Sequence, residues 1–192
     1  MKLVLLLLLA ALGGCVSVAK VETGTRPVGD RMTVQLEGAW NHINAPGLGP
    51  AQIWTMEGLT VDRLMFYSGI RDGQIVNAEL PGAAGQQLKN FTFKSSMQPD
   101  EIVAMFEGML TRDGSTFKLN KLEPATFGGL KGFRFEYAVT RKSDNVQLAG
   151  FGYGTVSKGE LFSVMYLAPR LGFYPRHAPD AEKIGRSAVI KE

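Results

Sequence analysis

The sequence is poor in the residues that carry out most catalytic and metal chemistry. It contains one cysteine, Cys15, and two histidines, His42 and His177, among 192 residues. A single cysteine excludes an intrachain disulfide and any site built from several thiolates. Neither histidine belongs to an HExxH or HxH motif, and the GxSxG nucleophile motif is absent from the sequence. We therefore predict no catalytic, metal-binding or cofactor-binding residues, and a protein that is not an enzyme.

Concentrated positive charge is also missing. The chain has 21 lysines and arginines against 18 aspartates and glutamates, which gives a net charge of +3. The basic residues are scattered among acidic ones, whereas a nucleic-acid-binding surface needs them clustered. We therefore expect no nucleic-acid partner.

The amino terminus has the form of a secretory signal. Lys2 precedes an unbroken apolar run over residues 3–11, and small residues follow. This run is too short for a transmembrane helix, which needs about 20 apolar residues. We assign residues 1–14 to a signal peptide.

The end of this segment, Leu12-Gly13-Gly14-Cys15, resembles the lipobox of bacterial lipoproteins. The resemblance implies that the Cys15 thiol receives a diacylglyceryl group, that cleavage occurs before Cys15, and that the new amino terminus is acylated, for example with palmitate. Val16 stands where an aspartate favours retention in the inner membrane. The resemblance therefore implies a lipid anchor in the outer membrane, with the protein facing the periplasm.

The remaining chain divides into a linker and one domain. Residues 15–30 mix Ser, Thr, Gly and Pro without a sustained period, which predicts a lipidated tether. Residues 31–192 form the predicted single domain. Alternating apolar residues predict a strand near 32–36, and further strands are expected over 53–56 and 61–67.

The second half of the sequence predicts both helices and a meander. Pro99, two following acidic residues and apolar side chains at helical spacing predict a helix over Pro99–Leu110. A strand over 116–122 and a turn over 124–129 follow. Three strands over 131–139, 146–156 and 161–167 form the meander. A last helix is expected after Pro179, with Asp180 as its cap.

These elements predict an α+β domain in which a central and a C-terminal helix pack on an antiparallel sheet. Their order from Trp40 onward is similar to the Mog1/PsbP-like fold. The resemblance is carried by helix Pro99–Leu110, the strand after it, the Gly128-Gly129 turn and the meander, and the final helix at Ile184-Gly185-Arg186-Ser187 completes it. It implies a binding or assembly module and transfers no site residues.

Two glycine-containing segments allow alternative interpretations. Gly150, Gly152 and Gly154 share one face of a predicted strand, which favours close packing of a helix there over a ligand cleft. Gly38-Ala39-Trp40 resembles the opening motif of lipocalins, some of which are outer-membrane lipoproteins that bind apolar ligands. The mid-chain helix disfavours this lipocalin-like interpretation.

One segment before the last helix has the composition of an interaction surface. Arg170, Phe173, Tyr174 and Arg176 could form an exposed recognition loop, because aromatic residues and arginine are favoured at interfaces. The favoured interpretation is that Phe173 and Tyr174 instead fix the loop to the core before the last helix. The leading hypothesis is a membrane-anchored, non-enzymatic lipoprotein that binds an envelope protein partner. The alternatives are a carrier of lipid or another apolar ligand, and an enzyme in which a histidine meets acids in one cleft.

Overall fold

The computed structural model describes residues 16–77 and 89–191. Cys15 and the predicted signal peptide lie outside the described residues. The strands are β1 (Ser17–Val21), β2 (Gly24–Val28), β3 (Met32–Leu36), β4 (Trp40–Asn44), β5 (Gln52–Thr55), β6 (Arg63–Ile70), β7 (Thr116–Phe127), β8 (Leu130–Thr140), β9 (Gln147–Ser157), β10 (Glu160–Pro169) and β11 (Val189–Ile190). The helices are α1 (Pro99–Leu110) and α2 (Phe173–Arg186).

Eight strands form one antiparallel sheet in the order β1-β4-β5-β6-β10-β9-β8-β7. The predicted meander is present as β8, β9 and β10, joined by short turns. A smaller sheet has the order β11-β3-β2. The α+β class predicted from the sequence is confirmed.

The large sheet separates two hydrophobic cores. On one face, Ile102 and Phe106 of α1 pack against side chains such as Met65 and Phe135. On the other face, Ala181 and Ile184 of α2 and the β2–β3 ribbon cover Phe151, Val164 and Tyr166, among others. Side chains of β10 alternate between the two cores, as expected for a strand buried on both faces.

Helix α1 has the predicted boundaries because its capping signals are local. Pro99 occupies the first turn, where its missing N–H costs nothing. The backbone N–H of Gln98 donates to Glu101 Oε2 at 2.8 Å, which satisfies a group that the helix leaves unpaired.

The tether predicted over residues 15–30 is wrong for residues 17–21 and 24–28, which form β1 and β2. Val21 of β1 lies opposite Trp40 on β4, and Val28 of β2 lies opposite Met32 on β3. Most β1 side chains are exposed, so backbone pairing rather than burial supports this strand. An exposed edge strand needs no alternation of apolar residues, and its sequence therefore resembles a linker.

Two other boundaries differ from the sequence prediction. Strand β7 continues through Pro124 to Phe127, which is possible because an edge strand leaves one row of backbone groups unpaired. The turn is confined to Gly128 and Gly129, whose φ angles are +62° and +82°.

Helix α2 begins at Phe173 and contains Pro179, so Asp180 is not its cap. Burial of Ala178 and Ala181 offsets the hydrogen bond that Pro179 removes.

Candidate functional site

An exposed surface lies where β10 ends and α2 begins. Leu171, between these elements, is 80% exposed, and Arg170 and Arg176 are exposed nearby. Met56, in the loop after β5, is 37% exposed. The next residue, Glu57, contacts α2 and holds this loop against the helix. We call the surface formed by Arg170, Leu171 and Arg176 the Leu171 patch, and the loop that carries Met56 borders it where Glu57 contacts Arg176.

The sequence offered Arg170, Phe173, Tyr174 and Arg176 as an exposed recognition loop, but favoured packing of Phe173 and Tyr174 against the core. The packing of the two rings is present in the structure, whereas the last three residues do not form a loop. They lie in the first turn of α2. The rings of Phe173 and Tyr174 pack against the core on the α2 side of the sheet, and Tyr174 lies 6.0 Å from Tyr166 between ring centroids. The aromatic rings therefore fix the helix, and the arginines are left on the surface.

Glu57 joins the loop after β5 to helix α2. Its Oε1 atom lies 2.8 Å from His177 Nε2 and 3.5 Å from Arg176 Nη1. The guanidinium of Arg176 also lies 5.8 Å from the centroid of the Phe173 ring. These contacts orient Arg176 and hold Met56 at the edge of the patch.

The same loop is fixed from inside by a buried carboxylate. Asp62 is fully buried. It accepts hydrogen bonds from Thr55 Oγ1 at 2.5 Å and from the backbone N–H groups of Met56 and Glu57 at 3.0 and 2.8 Å. A buried carboxylate is tolerated when its oxygens are satisfied in this way. The loop is thereby fixed as one rigid turn.

A charged network attaches the middle of α2 to the large sheet. Glu182 accepts a hydrogen bond from Arg134 Nε at 3.0 Å and another from the hydroxyl of Tyr153. Arg134 Nη1 also donates to Glu136 Oε1 at 2.6 Å. Because the side chains of Arg134 and Glu182 are only 16% and 20% exposed, water screens their pairing incompletely.

The network shifts the pKa values of its members in the directions that their contacts require. Burial alone raises the pKa of Glu182, but the hydrogen bonds from Arg134 and Tyr153 outweigh it and hold the pKa below its usual range. Burial alone lowers the pKa of Arg134, whereas its hydrogen bonds to Glu182 and Glu136 raise it overall. Burial and the Glu182 carboxylate raise the pKa of the Tyr153 hydroxyl. All three groups therefore keep their paired states at neutral pH.

The glycine-bearing face of β9 is filled by aromatic rings from the neighbouring strand. Gly150, Gly152 and Gly154 lie opposite Tyr137, Phe135 and Phe133 respectively. A Cβ at Gly154 would lie 2.5 Å from Phe133 Cζ, and one at Gly150 would lie 2.6 Å from the Tyr166 carbonyl oxygen. The predicted close approach of a helix is wrong, because the rings occupy that space. The same rings leave no ligand cleft over these glycines.

A small hollow of about 80 Å³ lies between β3, the residues before β4 and α2. Gly38 and Trp40 line it, and Lys183 Nζ lies 2.7 Å from Glu37 Oε2 at its rim. Ligand-binding pockets usually have volumes of about 300–1,000 Å³, so this hollow is too small for a lipid chain. The large sheet is open, with β1 and β7 as its edges, and the lipocalin-like interpretation of Gly38-Ala39-Trp40 is therefore wrong.

The two histidines lie in different surroundings. His42 is on β4, opposite Trp54 of β5 and Ala19 of β1, and burial lowers its pKa. His177 is buried and lies within hydrogen-bonding distance of Glu57.

Within residues 16–77 and 89–191, no group of three or more His, Cys, Asp or Glu side chains could hold a metal ion. Over the same ranges, no helix is long and apolar enough to cross a membrane.

Comparison with solved structures identifies the architecture. The chain is similar to cyanobacterial PsbP (CyanoP) from Synechocystis sp. PCC 6803, with a TM-score of 0.56 and 14% identity over 93% of this chain and 95% of that chain. A second similar structure is LpqN, involved in cell envelope biogenesis of Mycobacterium tuberculosis, with a TM-score of 0.46 and 13% identity over 92% of each chain. No protein-family model and no curated protein sequence matches the chain. The similarity to CyanoP confirms the PsbP-like fold expected from the sequence.

Proposed function

We infer that this protein is a non-enzymatic lipoprotein of the bacterial cell envelope that binds a protein partner through the Leu171 patch. It is anchored through lipid on Cys15, in the outer membrane and facing the periplasm. The lipobox Leu12-Gly13-Gly14-Cys15 supports the anchor. The PsbP-like architecture supports a binding or assembly module only as an analogy between folds.

The observation that carries the binding role is the exposure of Leu171 on a rigid base. A leucine that is 80% exposed gains apolar burial when a partner covers it. Arginines are enriched in protein interfaces, and Arg170 and Arg176 are exposed on the same surface. Because Asp62 and Glu57 fix the neighbouring loop, little conformational freedom is lost when a partner binds.

The alternative, a carrier of an apolar ligand, has less support. Such a carrier needs an empty apolar cavity, and the described core is filled by aromatic side chains. Phe133 and Phe135 cover the glycines of β9, and Phe106 stacks on Phe135 with ring centroids 6.2 Å apart. The hollow beside Trp40 is smaller than one acyl chain requires.

Site-specific photo-cross-linking in intact envelopes tests the binding role. A photoreactive amino acid at position 171 is compared with one at position 119, because Leu119 is a 41% exposed leucine on the edge strand β7. The proposal predicts a discrete protein adduct from position 171 and none of the same mass from position 119. Adducts that are absent from position 171, or equal at both positions, would contradict the proposed patch.

A further inference from the structure

The chain between the lipidation site and the folded domain is very short. Val16 is the only residue between Cys15 and the first residue of β1, Ser17. Consecutive Cα atoms are 3.8 Å apart, so the Cα atoms of Cys15 and Ser17 are separated by at most about 8 Å. This inference rests on the proposed lipid anchor. An anchored Cys15 cannot hold β1 far from the headgroups.

The side chains next to the anchor are apolar and uncovered. Val16, directly before β1, and Val18, within β1, are 62% and 61% exposed. Lys20 lies on the same face of β1 as Val18, because side chains alternate along a strand, and its side chain is 64% exposed and paired with Glu22 at 3.0 Å. Two exposed valines followed by a lysine suit the boundary between acyl chains and phosphate headgroups.

The register of the sheet separates this face from the Leu171 patch. Val18 is aligned, through one residue on each intervening strand, with Met165 of β10. Pro169, where β10 ends, lies about 13 Å further along the strand direction and about 19 Å across four strand spacings. Leu171 follows two residues later. Pro169 is thus roughly 23 Å from Val18 within the sheet, and two residues of chain span at most about 7 Å. The two exposed apolar sites are therefore at least about 16 Å apart.

We propose that strand β1 lies directly on the phospholipid bilayer, with Val16 and Val18 in contact with the membrane interface, and that the Leu171 patch faces away from it. The lipid anchor and the two valines then act as one membrane-contacting surface. The structured β1 replaces a flexible tether, so the domain has a defined orientation. A partner reaches the patch from the aqueous side.

Spin labels at two matched positions test this orientation. The lipidated protein is reconstituted in phosphatidylethanolamine and phosphatidylglycerol vesicles as Val18→Cys or Leu171→Cys, and each cysteine is labelled with a nitroxide. Both positions are well exposed, and circular dichroism checks that each variant folds. Relaxation by oxygen and by a water-soluble nickel chelate then measures the environment of each label.

The orientation predicts that the oxygen-to-nickel accessibility ratio is several-fold higher at position 18 than at position 171. Insertion of a ten-residue Gly/Ser linker between Val16 and Ser17 is expected to reduce the ratio at position 18 to that at position 171. Equal, water-like ratios in the variants without the linker would overturn the orientation.

The unlabelled parent chain separates this failure from failure of the proposed function. Cys15 is the only cysteine in the sequence, and the thioether bond to the diacylglyceryl group blocks the reaction of its sulfur with the label. A parent chain that reacts with the nitroxide has no thioether lipid, and the anchor and the orientation then both fail. A parent chain that does not react, combined with a water-like label at position 18, contradicts the orientation alone.

Discussion

Phe135 on β8 lies directly opposite Gly152 on β9, and its ring fills the space that a side chain at Gly152 would need. The same ring stacks on Phe106 of α1. The glycine therefore allows an aromatic ring of the neighbouring strand to lie flat between the sheet and the helix. Phe133 and Tyr137 repeat this arrangement with Gly154 and Gly150, so three cross-strand pairs build the centre of one core.

This arrangement predicts the effect of a single methyl group. Gly152→Ala is expected to lower the free energy of unfolding by about 1–3 kcal/mol, because the added Cβ overpacks the core against Phe135. Urea denaturation measures the change. Gly38→Ala is the control, because no heavy atom lies within 4 Å of a Cβ built there. Equal losses of stability in the two variants would contradict the pairing of ring and glycine.

The network at Glu182 predicts a pH-dependent contribution to stability. The folded-state pKa of Glu182 lies below its usual value, so its contribution is fully present above the unfolded-state pKa of about 4.3 and is lost as the pH falls through the folded-state pKa. Glu182→Gln is expected to cost about 1–2 kcal/mol at pH 7, a value reduced for partial exposure. The difference from the parent protein should disappear in acid.

Thermal or urea denaturation of both chains between pH 3 and pH 7 measures this difference. Glu37→Gln serves as the control, because Glu37 pairs with Lys183 on the surface with its side chain 69% exposed. Exposed pairs contribute about 0–1 kcal/mol. A Glu182→Gln cost that is independent of pH would rule out the charge as its source.

Asp62 is expected to be the most sensitive polar position near the patch. Asp62→Ala leaves Thr55 Oγ1 and two backbone N–H groups of the loop without their acceptor, at an expected cost of about 3 kcal/mol. Asp62→Asn retains one acceptor oxygen and should cost less. Chemical denaturation compares the two variants, and an alanine variant as stable as the asparagine variant would show that the loop does not depend on these bonds.

The Leu171 patch predicts a loss of binding without a loss of stability. Leu171→Asp places a charge at the centre of the patch and is expected to weaken capture of the partner by at least about tenfold. Its melting temperature should remain that of the parent protein, because Leu171 is 80% exposed. Leu119→Asp, on β7, is the matched variant and should leave capture unchanged. The yield of the partner that co-purifies from envelopes provides the measurement, and equal yields from the two variants would exclude this surface.

The sequence determined different parts of the fold to different degrees. Helix α1 was predicted to the residue, because Pro99 and the two acidic residues after it are local signals. Strand β1 was missed because most of its side chains are exposed and show no sustained apolar pattern. Its pairing with β4 involves residues 19 to 27 positions away. The start of α2 was missed because Pro175 and Pro179 break the local helical signal, and only the core that the helix covers compensates for them.

The candidate site was only partly accessible to sequence reasoning. The alternation of residues placed the three glycines of β9 on one face, but only the register with β8 shows that Phe133, Phe135 and Tyr137 cover them. Arg170 and Arg176 were recognised by composition, whereas Leu171 and Met56 were not. The exposure of an apolar side chain depends on tertiary contacts. One such contact here joins Glu57 to His177, which is 120 positions away in the sequence.

Attachment of the chain at Cys15 is the claim on which both the location and the orientation of the protein depend. The most direct measurement is the intact mass of the mature protein, together with fractionation of envelopes that carry the parent chain or Cys15→Ala. Lipidation at Cys15 predicts a parent chain that begins at Cys15, carries the mass of a diacylglyceryl group and an acyl chain, and stays with membranes in high salt. The Cys15→Ala variant should be released. A mature chain without lipid, or a Cys15→Ala variant that remains bound to membranes in high salt, would show that Cys15 is not the anchor.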